Sequence, residues 1–132
     1  MKYLLDTHTW IWWNARPAAL SPKVKSLLNH ADRYDELLLS AISVWEFCKM
    51  LEAGEAALSC APEDWIATAL DMPKFRVVPL TPGISYRSTT LPDGFSGDAA
   101  DQIIVATARE ENATILTRDD AMAAYKHVQT LW

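Results

Sequence analysis

Four short, unbroken apolar runs alternate with helix-length segments along this chain, and that rhythm limits the fold more than any other feature. The runs are Lys2 to Leu5, Glu36 to Ala41 (ELLLSA), Arg76 to Leu80 (RVVPL) and Ala113 to Thr117 (ATILT). Each is too brief for a helix and reads as a strand. The unbroken run of Glu36 to Ala41 suits a strand covered on both faces, as parallel strands are. Between the runs lie helix patterns: Thr7 to Asn14, Ser21-Pro22 to about Arg33, Ser43 to Ala53, Pro62 to Met72, a short one after Thr81-Pro82, Asp98 to Asn112, and Asp119 to Lys126. Ser21-Pro22 is a capping serine with proline at the first helical position. Gly54 and Pro73 are stop signals. Pro79 places the end of the third strand outside the ladder. Val128 to Trp132 reads as a further, terminal strand. Strand–helix alternation of this kind predicts a single α/β domain over residues 1–132, a parallel sheet of four to five strands between helical layers.

That topology gives the acidic residues their meaning. In an open parallel sheet, sites form beyond the carboxyl ends of the strands. Asp6 ends the first run, and Thr117, Arg118 and Asp119 end the fourth. Glu46 falls in the first turn of the helix after the second run, and Asp98 and Asp101 in the first turn of the helix leading to the fourth. All these positions belong to one edge. Each acid has an innocent explanation, because the helix dipole favours carboxylates at N-termini by roughly 0.3–1 kcal/mol. Ser43-Val44-Trp45-Glu46 also matches a capping box, with Glu46 reaching back to a backbone N–H, and Asp98 could be a plain N-cap. Asp6 is hardest to explain away, since a carboxylate directly after a buried strand needs a partner.

Together the acids point to a divalent cation. No basic residue is close in sequence to Asp6 or Asp101, and clustered carboxylates repel unless a cation holds them. Oxygen-only donors favour Mg²⁺, or Mn²⁺, over zinc. His8, two residues after Asp6, is expected to support the turn or pack. A carboxylate-held Mg²⁺ suits phosphodiester hydrolysis, with one or two ions. The net charge of −5 argues against a module that grips nucleic acid by phosphate contacts alone, but not against a metal-dependent nuclease, where bound metal reverses the local field.

Other residues bound the reading. Lys49 and Arg118 are candidate phosphate contacts, or charge partners of nearby carboxylates. The chain has six Trp, and Trp10, Trp12 and Trp13 cannot all face the core from one short helix, so at least one is expected at a protein contact. Cys48 and Cys60 match no zinc or redox spacing and are expected as reduced, buried thiols. The first apolar run stops too early for a signal peptide, and no run is long enough to span a membrane. A cytoplasmic protein is expected.

The motifs Leu4-Leu5-Asp6-Thr7-His8, Ser43-x-Trp45-Glu46, Gly97-Asp98-x-x-Asp101 with Ile103-Ile104-x-Ala106-Thr107-Ala108, and Leu116-Thr117-Arg118-Asp119 stand in the order and spacing of PIN-domain ribonucleases. The chain most resembles the toxins of VapBC-type toxin–antitoxin modules, over nearly its whole length. The resemblance implies a three-layer α/β/α sandwich, a Mg²⁺- or Mn²⁺-dependent endoribonuclease acting on an RNA substrate, a homodimer, and a small antitoxin partner that inhibits it. By position it makes Asp6, Glu46 and Asp101 the core acids and Asp119 a fourth. Asp98 falls beside the metal site, with Thr7 and Thr117 orienting the ligands. Two positions depart from the pattern: Gln102 stands where many relatives have a basic residue, and Ala99 where proline is common. A phosphatase using Asp6 as nucleophile is a rival reading, but His8 occupies the place of the second acid such enzymes need. A binding module that lost catalysis is another, and the full set of acids speaks against it.

Overall fold

The computed structural model describes residues 1–132. Five parallel strands form one sheet: β1 (Lys2–Leu5), β2 (Glu36–Ser40), β3 (Phe75–Val78), β4 (Thr114–Leu116) and β5 (Gln129–Leu131), in the order β3-β2-β1-β4-β5. Register is continuous across the middle, with Leu4 opposite both Leu38 and Ile115, and Leu5 opposite Leu39 and Leu116. The chain winds outward from β1 to β3 and then returns to build β4 and β5 on the other side. The strand order therefore reverses between β1 and β4, and a crevice opens beyond the carboxyl ends of these two strands.

Successive strand residues point to opposite faces, and the two cores divide accordingly. Leu4, Leu38 and Ile115 face a core completed by Ile104, Val105, Ala106 and Ala108 of α6 (Ala99–Glu111), Ile84 of α5 (Pro82–Ser88) and Met122 of α7 (Asp120–Ala124). Leu5, Leu37, Leu39 and Leu116 face the other core. It is filled by Trp10 of α1 (Thr7–Ala15), Val24 and Leu28 of α2 (Pro22–Asn29), Phe47 of α3 (Ala41–Glu52) and Ala69 of α4 (Pro62–Leu70). The result is the three-layer α/β/α sandwich, and burial of apolar strand and helix faces drives it at about 25 cal/mol per Å². No helix is long and apolar enough to cross a membrane.

The element ends are set by local chemistry. Ser21 caps α2 through its hydroxyl and Val24 N–H, but the helix stops at Asn29, four residues before Arg33. There Asp32 accepts from Tyr34 N–H, an Asx-type turn that competes with further helix. Asn112, with φ of 53°, closes α6 in the left-handed conformation. Pro79 lies beyond the β3 ladder, as its missing N–H requires. A 3₁₀ turn at Pro17–Ala19 bridges α1 and α2.

Three sequence expectations are corrected. None of Trp10, Trp12 and Trp13 is exposed: Trp10 is fully buried, and the other two are half-buried. Trp13 bonds Asn29 and packs on Phe75, and Trp12 packs on Trp132. The exposed tryptophan is Trp45, at 56%. Cys48 and Cys60 are both free and exposed rather than buried. Glu46 is not part of a capping box, because α3 begins earlier than Ser43. Its N-cap is Ser40, whose hydroxyl accepts from Ile42 N–H at 3.2 Å.

Candidate active site

The sheet delivers the acids to the crevice one element at a time. Asp6 is the residue between β1 and α1 and acts as the N-cap of α1. Its Oδ1 accepts from Thr7 N–H at 2.8 Å, and its Oδ2 from the Thr117 hydroxyl at 2.7 Å. Thr117 ends the β4 crossing next door, and its Oγ1 also accepts from Asp119 N–H at 3.0 Å. One threonine thus holds the first acid and the backbone of the fourth. Asp119 caps α7, its Oδ1 accepting from Met122 N–H at 2.9 Å, while Oδ2 has no partner in the protein.

Glu46 is drawn in from α3. The buried Thr7 hydroxyl lies 2.5 Å from Glu46 Oε1 and 2.8 Å from the buried Ser43 hydroxyl. An ionised carboxylate can only accept, so Thr7 gives its single proton to Glu46 and receives one from Ser43. This three-residue relay was not visible in the sequence. The Ser43–Glu46 spacing that resembled a cap instead places both side chains on one face of the helix.

Asp98 and Asp101 come from the start of α6. Asp98 is the N-cap, its Oδ1 accepting from Asp101 N–H at 2.8 Å. The Asp101 carboxylate has no hydrogen-bond donor from the protein, and no Lys or Arg pairs with Asp6, Glu46, Asp98, Asp101 or Asp119. Gly97 lets the preceding loop pass this close. A Cβ there would stand 2.5 Å from the Phe95 ring and 2.8 Å from Asp101 Cβ.

Electrostatics bear out the crowding. Burial, followed by the charges of Asp98, Asp6, Asp119 and Glu46, pushes Asp101 up from an ordinary carboxylate value of 3.8 to about 7. Burial also raises Asp6, against the Thr117 and Thr7 hydrogen bonds that lower it. Glu46 is raised by burial, opposed by Thr7 and reinforced by Asp98 and Asp6. Each of the five acids therefore belongs to one electrostatic unit, although no three side chains converge closely enough to enclose a single ion as placed. The donor chemistry nonetheless fits a hard divalent cation: oxygens only, several lone pairs free, and excess negative charge with no protein counter-ion.

The two candidate cations behave differently. Lys49 is paired with Glu52 one turn further along α3. Arg118 has no carboxylate partner despite its neighbours Asp119 and Asp120. Its guanidinium instead lies 4.7 Å from the centroid of the Trp12 ring. His8 is exposed, its ring 5.6 Å from that of Trp12, so it does not pack in the core, and its charge acts on both Asp6 and Glu46.

A PIN domain model matches residues 3–128. The chain belongs to the PIN-domain family. It is 33% identical, over 131 residues, to Ribonuclease VapC22 of Mycobacterium tuberculosis, covering 98% of this chain and 97% of that relative. Among solved structures it is similar to FitAcB from Neisseria gonorrhoeae, with a TM-score of 0.68 and 26% identity over 98% of this chain and 96% of that one. VapBC2 from Rickettsia felis, bound to a DNA fragment from its promoter, superposes with a TM-score of 0.74. At 14% identity over 99% of this chain and 98% of that one, it speaks to the shared fold alone. The acids of this PIN domain sit at the carboxyl edge of a five-stranded sheet, between β1 and β4.

Proposed function

We propose that this PIN domain is a metal-dependent endoribonuclease of the VapC type, acting in the cytoplasm as the toxin of a toxin–antitoxin pair. The observation that carries the reading is the uncompensated charge at the β1–β4 crevice, where four neighbouring acids help raise Asp101 to about 7. Such a site is costly in the free fold and gains its purpose with a cation bound. The likeness to a ribonuclease over nearly the full chain favours RNA as the phosphodiester substrate.

Asp6, Glu46, Asp101 and Asp119 would hold Mg²⁺ or Mn²⁺, which supplies Lewis acidity toward a phosphodiester and lowers the pKa of an attacking water. The protein's own work is positional. Thr117 fixes the Asp6 carboxylate against β4 and Thr7 fixes Glu46 against α1. Asp98 ties down the backbone at Asp101 and adds negative charge beside it. Both oxygens of Asp6 are engaged, by Thr7 N–H and the Thr117 hydroxyl, which favours direct attack of water over a covalent route through Asp6.

A partner protein and a second copy of the chain complete the proposal. Trp45 is 56% exposed and adjoins Glu46 in sequence. An antitoxin covering it would bury an aromatic anchor and shut the acids off together. Tyr86, 70% exposed on the α5 side, is a candidate for a contact between copies.

The test is cleavage of single-stranded RNA by the purified protein. Cleavage is expected with Mg²⁺ or Mn²⁺, is expected to stop with chelator, and is expected to fall by roughly a hundredfold or more in Asp6→Asn with the fold intact. Cleavage that survives either treatment would remove Asp6 or the metal from the mechanism. Co-expression with the product of a short adjacent reading frame should restore growth of cells expressing the toxin.

A further inference from the structure

A cavity of about 410 Å³ opens directly beside the acids, and its lining mixes two chemistries. Asp6, Asp119 and Asp120 contribute carboxylates, and His8, Trp12 and Arg118 contribute two rings and a guanidinium. The volume lies in the range of about 300–1,000 Å³ typical of small-ligand pockets, enough for one nucleotide.

The aromatic and guanidinium part of this lining is built rather than incidental. Trp12 is half-buried, with Trp132 packed on it edge-on at 6.1 Å. Arg118 lies over Trp12 at 4.7 Å, and His8 leans on it at 5.6 Å with an interplanar angle of 49°. The main chain at Arg118 is held on both sides: Thr117 N–H donates to Leu131 O, and Asp119 N–H to the Thr117 hydroxyl. Asp119 and Asp120 follow Arg118 in sequence, yet neither pairs with it, and its guanidinium lies over Trp12 with no carboxylate partner in the protein. An arginine resting over an aromatic ring keeps its donors for an anion and leaves its outer face for stacking. Unpaired bases are recognised in this way, on aromatic rings and guanidinium planes.

We infer that Trp12, Arg118 and His8 form a nucleotide subsite that takes the residue flanking the scissile phosphate of a single-stranded RNA. Arg118 bonds the phosphate on that nucleotide, and its base lies on the Arg118–His8 surface supported by Trp12. This rests on the nuclease reading, because it assigns the strand that the acids would cut. It adds a binding preference for unpaired RNA that the acids alone do not provide.

The test is binding of an end-labelled, mixed-sequence single-stranded RNA in an Asp101→Asn background, read by fluorescence anisotropy with Mg²⁺ present, so that affinity is measured apart from cleavage. Arg118→Ala is expected to weaken binding by about tenfold or more. Arg118→Lys, which keeps the charge and loses the plane, is expected to recover only part of it. A probe with an abasic nucleotide at the flanking position should bind the parent protein more weakly but bind Arg118→Ala no worse than the intact probe. Trp12→Phe keeps an aromatic support and controls for folding. In the cleaving enzyme, Arg118→Ala should raise KM while leaving kcat within a fewfold. Equal binding by Arg118→Ala, or preference for a duplex of the same sequence, overturns the subsite. Absence of cleavage by the parent protein with Mg²⁺ present, alongside Arg118-dependent binding, would instead overturn the nuclease reading.

Discussion

The Thr7 hydroxyl meets Glu46 Oε1 at 2.5 Å and so joins the helix after β1 to the helix after β2. The bond is the one side-chain link that fixes Glu46, since the rest of its carboxylate is free. It also gives the buried Ser43 hydroxyl its partner. Thr7→Val keeps the shape and removes the relay. The expected cost is about 1–3 kcal/mol of stability, because Ser43 and Glu46 lose a buried partner. Cleavage should fall more steeply than stability explains, since Glu46 is released. Thr7→Ser should retain most of both. Urea titration and single-turnover cleavage measure the two, and a Thr7→Val protein that cleaves normally would detach Glu46 from the site.

Asp101 makes the metal-free fold sensitive to pH. Its folded value of about 7 lies above the ordinary 3.8, so the fold binds that proton more tightly than the unfolded chain does. Its contribution to stability is complete below the unfolded value and is lost as pH rises through about 7. With chelator, the urea midpoint should therefore rise as pH is lowered from about 7.5 to about 5. Glu111, held low by Arg76 and Lys2, and Asp93, held low by His127 and Lys126, act in the opposite sense only as pH falls through and below the usual carboxylate range. They leave this window clear. Asp101→Asn should reduce the slope, leaving the part that the raised Asp6 and Glu46 contribute, and should raise the midpoint near neutral pH while abolishing cleavage. Mg²⁺ should flatten the slope in the parent protein. An Asp101→Asn protein that is both less stable and inactive would make Asp101 a structural residue.

Much of this site was legible because an acid directly after a buried strand has few ways to exist. Asp6 directly follows Leu4-Leu5, and Asp119 comes two residues after Thr117 at the end of the fourth run, so parallel strands bring both to one edge. Asp98 was readable as a cap and is one. Glu46 was ambiguous for a physical reason. A capping box and a tertiary ligand both place an acid three residues after a serine, and only the partner distinguishes them. The partner is Thr7, 39 residues away, a distance no local pattern crosses. The start of α3 was misplaced because Ser40 is both the last residue of β2 and the cap. The Trp12–Arg118 stack was hidden too, because it joins α1 to the turn after β4, and strand order is not written in either segment.

Gly97 has a role that a turn alone does not require. A methyl there would meet Phe95 at 2.5 Å and Asp101 Cβ at 2.8 Å, so Gly97→Ala must move an aromatic of the core or a candidate ligand. The expected cost is about 1–3 kcal/mol, with cleavage reduced by roughly tenfold or more. Gly94→Ala is the control. Gly94 has φ of 66° and open space around its Cα, so its substitution strains the same loop without touching Asp101 and should lower stability while sparing kcat. Equal kcat losses in the two variants would show that the loop's conformation, not the contact with Asp101, governs activity.

Thr117 is the remaining pivot. It gives its proton to Asp6 Oδ2 at 2.7 Å and accepts Asp119 N–H at 3.0 Å, so both the first and the fourth acid depend on one buried hydroxyl. Thr117→Val leaves an acceptor and a donor unpaired at once, with an expected loss of about 1–3 kcal/mol. The functional effect follows from charge as well as position. The Thr117 bond opposes the burial that raises Asp6, so its removal should raise the Asp6 carboxyl further. Cleavage by Thr117→Val should then need a higher metal concentration, and the acid limb of its pH–rate profile should move to higher pH. Thr117→Ser should return both toward the parent values. A Thr117→Val protein with an unchanged metal requirement would show that Asp6 is held by Thr7 N–H alone.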